Sequence, residues 1–207
     1  MPVSRRNLLA GLAGACTLPW TGLDPAYARA LSDAAWRAPV TRLWMKREQT
    51  GEQVSAIVRG PAGYHAPDHH MLSWLMRDVK DGNAAVWIDP RLFDLLADIQ
   101  GAMSAVHGGV VPLVVTSGYR TPDHNSRLEG AARASLHLNG RAADLKVPGY
   151  DSRALAFAGA LYARGGVGVY PTFCHLDTGA VRAWAGGGTP ARQPATGTPL
   201  PTTSQIR

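Results

Sequence analysis

Apolar residues between Thr41 and Asp177 follow two rhythms, and their alternation narrows the possible folds more than any other feature of the chain. Thr41 to Met45, Gln53 to Val58, Val110 to Thr116, Ala142 to Val147, Val167 to Tyr170 and Phe173 to Asp177 are short β-rich or apolar runs bounded by turn residues, which predicts strands. The first two flank Lys46-Arg47-Glu48-Gln49-Thr50-Gly51-Glu52, which reads as a polar hairpin loop. Interleaved with these runs, Met71, Leu72, Leu75 and Met76 within Asp68 to Val79, and Leu92, Leu95, Leu96, Ile99 and Met103, recur at helical spacing. Asp89 is placed to cap the second of these helices and Pro90 fits its first turn. Asp151-Ser152 opens a third, running to Arg164 with Leu155, Ala158, Leu161 and Tyr162 inward and Gly165-Gly166 as its stop. Helices lead and antiparallel-looking strands follow, so the expected class is α+β: a small antiparallel sheet with helices packed on it.

The two ends of the chain read differently. Ser4-Arg5-Arg6 stands directly ahead of an apolar, small-residue stretch from Leu8 to Leu18, and Ala26-Tyr27-Ala28 follows. That is the layout of a twin-arginine export signal with a cut after Ala28, and it predicts a periplasmic protein. Cys16 lacks the leucine that a lipid-anchoring site carries three positions earlier, Ala13 standing there, so no lipid anchor is expected. The expected divisions are a leader over 1–28, a linker over 29–38, a domain over 39–184 and a breaker-rich disordered tail over 185–207. No apolar run approaches the roughly 18 residues of a spanning helix. Of the two cysteines only Cys174 survives loss of the leader, so a core and a metal, rather than a disulfide, must hold what is expected to be a monomer. The net charge of +6 suits an anionic wall polymer. Nucleic acid is excluded as a partner, because no basic stripe with interleaved aromatics accompanies that charge.

Chemistry-bearing residues gather between Ser117 and Asp177. His137 and Asp144 stand seven apart around Gly140, and His175 follows inside the apolar strand Phe173-Cys174-His175-Leu176-Asp177. Two imidazoles and one carboxylate are the donor set with which a catalytic zinc is held while one position stays open for water. Strand alternation puts Asp144 on the face opposite Leu145, and His175 with Asp177 on the face opposite Cys174 and Leu176. If the two strands are neighbours, His175, Asp177 and Asp144 converge.

Ser135-x-His137-x-x-Gly140-x-Ala142-x-Asp144 resembles the SxHxxGxAxD signature of D-alanyl-D-alanine-type zinc peptidases, whose fold is shared with lysostaphin-type peptidases and the hedgehog signalling domain. With Ile88-Asp89-Pro90, Ser117-Gly118-Tyr119-Arg120, Gly165-Gly166-Val167-Gly168-x-Tyr170-Pro171 and His175-x-Asp177-Thr178-Gly179, residues 39–184 are similar to murein endopeptidases of the K type, also called YcbK-like. The resemblance implies a zinc-dependent (Zn2+) peptidoglycan endopeptidase, D,D or L,D in specificity. In it His137, Asp144 and His175 match the metal ligands, and Arg120 matches an arginine set over the cleaved carbonyl. Relatives usually place a Glu three residues before the last ligand, where this chain has Thr172. Two roles therefore stand open for Asp177: replacement general base, or acceptor that orients His175. The missing Glu equally supports a catalytically inactive zinc-containing module that binds peptidoglycan or a protein.

The remaining residues invite plainer readings. His65, His69, His70, His107 and His124 are expected in ordinary surface roles, and Trp184 in packing. Cys174, next to His175 on a strand, points to the other face and is not expected to ligate. Ser117 and Ser135 sit in no nucleophile elbow and are expected to tune hydrogen bonds around the substrate site. Tyr119 and Tyr170 are open between core rim and substrate wall.

Overall fold

A computed structural model describes residues 24–35, 42–59 and 64–186. The expected export motif and the tail beyond residue 186 lie outside the described residues. Among those described, seven strands form one sheet in the order β2-β1-β3-β4-β6-β5-β7: β1 (Arg42–Arg47), β2 (Gln53–Ile57), β3 (Leu113–Ser117), β4 (Ala142–Lys146), β5 (Gly166–Val169), β6 (Cys174–Asp177) and β7 (Arg182–Ala185). The helices are α1 (Pro25–Ala35), α2 (Ala66–Leu75), α3 (Pro90–His107), α4 (Pro122–Arg127) and α5 (Ser152–Tyr162). This is the expected α+β class. The sheet is mixed rather than wholly antiparallel, because β1 runs parallel to β3 and β5 parallel to β7. Among the described residues no helix is long and apolar enough to cross a membrane.

The core lies on the sheet face covered by α3 and α5. Asp89 caps α3 by accepting from the Arg91 amide at 3.0 Å, Pro90 enters the first turn, and Gly108 ends the helix in the left-handed region. The stripe Leu92, Leu95, Leu96, Ile99 and Met103 is fully buried, as its spacing predicted. On a neighbouring face of α3 the Gln100 side chain donates to the Trp44 and Val111 carbonyls and accepts from the Trp44 amide. The helix is thereby tied by hydrogen bonds, as well as by apolar contact, to β1.

Three local expectations are corrected. Residues 29–35, expected as linker, belong to α1, which packs on α3 and α5 with Leu31 completely buried and Tyr27 stacked on Tyr150 at 5.7 Å. The apolar groove between two helices captures a segment whose local sequence resembles only a processing site, and the Ala28–Arg29 bond lies inside the helix. Lys46 and Arg47 extend β1 rather than opening a hairpin loop, and Arg47 is buried. Finally, α5 ends at Ala163, itself left-handed at φ 49, so Gly165-Gly166 are not its stop. Those glycines are needed because a Cβ at either position would overlap Asp177.

Candidate metal centre

Sheet register assembles the site. On the antiparallel pair β4 and β6, Asp144 lies directly opposite His175. An irregularity in β3 between Val115 and Ser117 sets Ser117 against Asp144, and on the far side Gly168 pairs with His175 and with Trp184 of β7. One row across five strands therefore reads Ser117, Asp144, His175, Gly168, Trp184. The third donor, a histidine, arrives from outside the sheet. A 3-10 turn over Leu136–Asn139, capped by the Ser135 hydroxyl, carries His137, and Gly140 closes it at φ 62. The Arg120 amide donates to the His137 carbonyl at 3.2 Å, fastening this turn to the loop after β3.

The three donor atoms meet. His137 Nε2 lies 3.2 Å from His175 Nδ1 and 3.3 Å from Asp144 Oδ1, and the latter two are 2.8 Å apart. Bonds of about 2.0–2.1 Å in tetrahedral geometry require ligand atoms about 3.3 Å apart, close to these separations. The tautomers agree with this. His137 Nδ1 donates to the Gly118 carbonyl at 2.6 Å, and His175 Nε2 donates to Asp177 Oδ2 at 3.1 Å. Each ring is thus left with its lone pair on the nitrogen that faces the common point. His137, Asp144 and His175 are the group that could hold a metal ion, and three donors leave a coordination position for solvent.

Burial sharpens the electrostatics. His137 is 1% exposed, and burial pushes its pKa below the ordinary histidine value despite the neighbouring Asp144. For His175 burial acts in the same sense but is outweighed by hydrogen bonds to Asp144 and Asp177, which raise it. Burial alone would raise both carboxyls. Yet the two histidines hold Asp144 well below the usual range, and His175 with the Gly166 and Gly179 amides does so for Asp177. Asp144 and Asp177 therefore stay ionised beside the rings, while His137 is held neutral with its lone pair free.

Asp177 is completely buried and its oxygens are occupied. Oδ1 accepts from Gly166 N at 2.9 Å and Gly179 N at 2.8 Å, while Oδ2 faces His175 Nε2 and Arg182 Nη2, the latter at 2.7 Å. It stands on the ring edge of His175 remote from Asp144. Arg120 donates from Nε to Ser117 Oγ at 2.8 Å and from Nη2 to Asp144 Oδ2. Ser135 and Tyr170 line a cleft of about 470 Å³ together with the three donors, Arg120, Arg182 and Trp184. Ser117 lines a second cleft of about 290 Å³, and the two share Arg120, Leu128, Asp144 and Phe173. The two clefts therefore adjoin at Arg120 and Asp144, with all three donors in the larger one.

Several residues fall elsewhere than expected. Trp184 is site wall rather than plain packing: its ring lies 5.2 Å from that of His175 and its Nε1 donates to the Tyr170 hydroxyl at 3.2 Å. Tyr170 stacks on Phe173 at 4.4 Å and lines the larger cleft. Among the expected surface histidines, His69 and His124 are buried, the first donating to the Ile88 carbonyl and the second held by Asp78. Arg182 and Glu129 line the larger cleft without having been singled out. The glycine pair at 165–166 carried the signal for Arg182 and Asp177, since close backbone approach has no other sequence mark. Cys174 is fully buried on the opposite face, and burial pushes its thiol well above its ordinary value.

Two donors on neighbouring strands and a third on the adjoining turn converge in an open groove, forming a site that could hold one metal ion. The sequence model of the peptidase family described as peptidoglycan L,D-endopeptidase MepK matches residues 36–184, and the chain belongs to that family. It is 32% identical over 150 residues to a Haemophilus influenzae protein named probable peptidoglycan L,D-endopeptidase MepK, which covers 70% of this chain and 78% of that protein.

Proposed function

We propose that the chain is a zinc-dependent, periplasmic endopeptidase that hydrolyses L,D peptide cross-links in peptidoglycan. The observation that carries this reading is the meeting of His137 Nε2, Asp144 Oδ1 and His175 Nδ1 in a cleft that runs on into a second one past Arg120 and Asp144. A strand of substrate can lie across such a groove, as internal cleavage requires and a closed exopeptidase pocket forbids. The L,D choice is supported by the description of the family and by the name of the Haemophilus influenzae relative. Export is supported by Arg5-Arg6 ahead of the apolar stretch from Leu8 to Leu18.

A zinc ion held by the three donors supplies Lewis acidity and brings the pKa of water near neutrality. The protein's own groups divide the remaining work. Asp177 fixes the His175 tautomer and ring plane, so the base alternative is set aside: its oxygens are engaged on the side of the ring away from the donors. Arg120, anchored by Ser117 and Asp144, places a permanent positive charge beside the donors, where oxyanion charge develops as the amide is attacked. Asp144 and Glu129 are the carboxylates lining the larger cleft, and Glu129 makes no ion pair among the described residues. Tyr170, Phe173 and Trp184 form an aromatic wall for the bound peptide.

The test is digestion of purified sacculi, with muropeptides resolved by chromatography and mass. Fragments that vanish with chelator and return with zinc are expected. Sacculi that bind the metal-loaded protein and stay intact would instead establish the inactive binding module that Thr172 suggests.

A further inference from the structure

Past Arg120 and Asp144 the groove continues into the cleft of about 290 Å³, whose wall holds the cations Arg47, Lys80, Arg120 and Lys146. Two of these are committed, Arg120 to Asp144 and Lys146 Nζ to Glu48 Oε1 at 2.5 Å. Lys80 is exposed and makes no ion pair among the described residues. Arg47 is the unusual one. It is 3% exposed at the end of β1, and its Nε and Nη1 are buried with no hydrogen-bond partner.

A guanidinium keeps its charge at neutral pH, so burying one without a paired anion is unfavourable unless an anion arrives from outside. The nearby carboxylates are already spent. Glu52 receives Arg77 Nη2 at 2.8 Å and the Thr50 hydroxyl at 2.6 Å. Asp78 receives His124 Nδ1 at 2.8 Å, Thr121 N at 2.9 Å and Lys80 N at 3.1 Å. Burial and the adjacent Arg77 press the Arg47 pKa down to about 10, and the charges of Asp78 and Glu52 offset only part of this.

We infer that this cleft is a carboxylate subsite, in which Arg47 with Lys80 receives a free carboxylate of the stem peptide beside the bond to be cut. The inference rests on the groove's holding a peptidoglycan cross-link. In that substrate the diaminopimelate residue keeps one carboxylate outside the amide chain. An amidated stem presents N–H groups to the same cations, so the subsite discriminates acid from amide.

Calorimetric titration of the zinc-loaded full chain with an uncross-linked stem tetrapeptide, in free-acid form and amidated at that one carboxylate, tests the assignment. The acid is expected to bind about tenfold more tightly, the scale of a charge-assisted hydrogen bond. Arg47→Met is expected to bind both forms with the amide's affinity, and the exposed Lys80→Met to narrow the preference without disturbing the fold. Equal binding of the two forms, binding of neither, or a preference untouched by both substitutions overturns the subsite. Intact sacculi alongside a retained acid preference would refute the hydrolase reading and leave the subsite standing.

Discussion

Asp177→Asn separates the two roles that a carboxylate in this position can play, because it keeps shape and changes only donors and acceptors. The native carboxylate receives Gly166 N, Gly179 N, His175 Nε2 and Arg182 Nη2. An asparagine that keeps its oxygen toward the glycine amides turns its NH2 toward His175 and Arg182; the flipped amide turns it toward the glycines. Either way two donors face a donor. In the first orientation Arg182, its side chain 45% exposed, recovers in water and only His175 is left as an unmet buried donor, at about 1–3 kcal/mol, whereas the flip leaves both glycine amides unmet. His175 relieves this by moving its proton to Nδ1, which then points an N–H at Asp144 Oδ1, 2.8 Å away, and withdraws the lone pair from the metal position. The loss therefore appears in metal affinity, about 10- to 100-fold, or about 1.4–2.8 kcal/mol. Competition for zinc against a chromophoric chelator measures it, and turnover at saturating zinc is expected to return to within about tenfold of the native chain. Unchanged zinc affinity with turnover down by about a thousandfold would refute the reasoning and make Asp177 the proton acceptor.

Asp89 joins the start of α3 to the loop after β6, accepting from Arg91 N and from the Thr178 hydroxyl at 2.9 Å. Asp89→Ala is expected to remove about 1 kcal/mol, seen as a fall of about 2–4 °C in a thermal melt at pH 7. Burial alone would raise this carboxyl, but hydrogen bonds from Arg91 and Thr178 hold it below its ordinary value. Its contribution is thus complete above about pH 4, the unfolded value, and fades as pH falls through the lower folded one, so native and variant melts should converge in acid. Cys174 should resist maleimide in the folded protein and react at once in denaturant; ready labelling of the native chain would contradict its burial. A Cβ at Gly168 would press on the Trp184 ring beside His175, so Gly168→Ala is expected to lose about 1–3 kcal/mol and to raise KM more than it lowers kcat. A variant with native stability and kinetics would show that the wall yields freely.

The donors His137, Asp144 and His175 were legible because metal ligation demands particular residue types, and the helix α3 because capping and periodicity are local. What escaped was fixed by pairing between distant segments. Trp184 enters the site only through the parallel pairing of β7 with β5, which no local pattern announces. The glycines at 165–166 looked like a helix stop because a breaker is ambiguous until the backbone it must admit, that of Asp177, is known. Arg47 read as loop for the same reason that it now draws interest: a charged residue in a polar string has no local reason to be buried. The same logic bears on Thr172. Loss of the usual glutamate there looked like loss of the base, and Asp177 looked like its nearest substitute along the chain. Register and hydrogen bonding place Asp144 and Asp177 on different sides of the His175 ring, since Asp144 opposes it from β4 while Asp177 closes on its other nitrogen. Proximity in sequence along a strand conserves the face but not the function, because a histidine between two carboxylates can present its lone pair to only one of them.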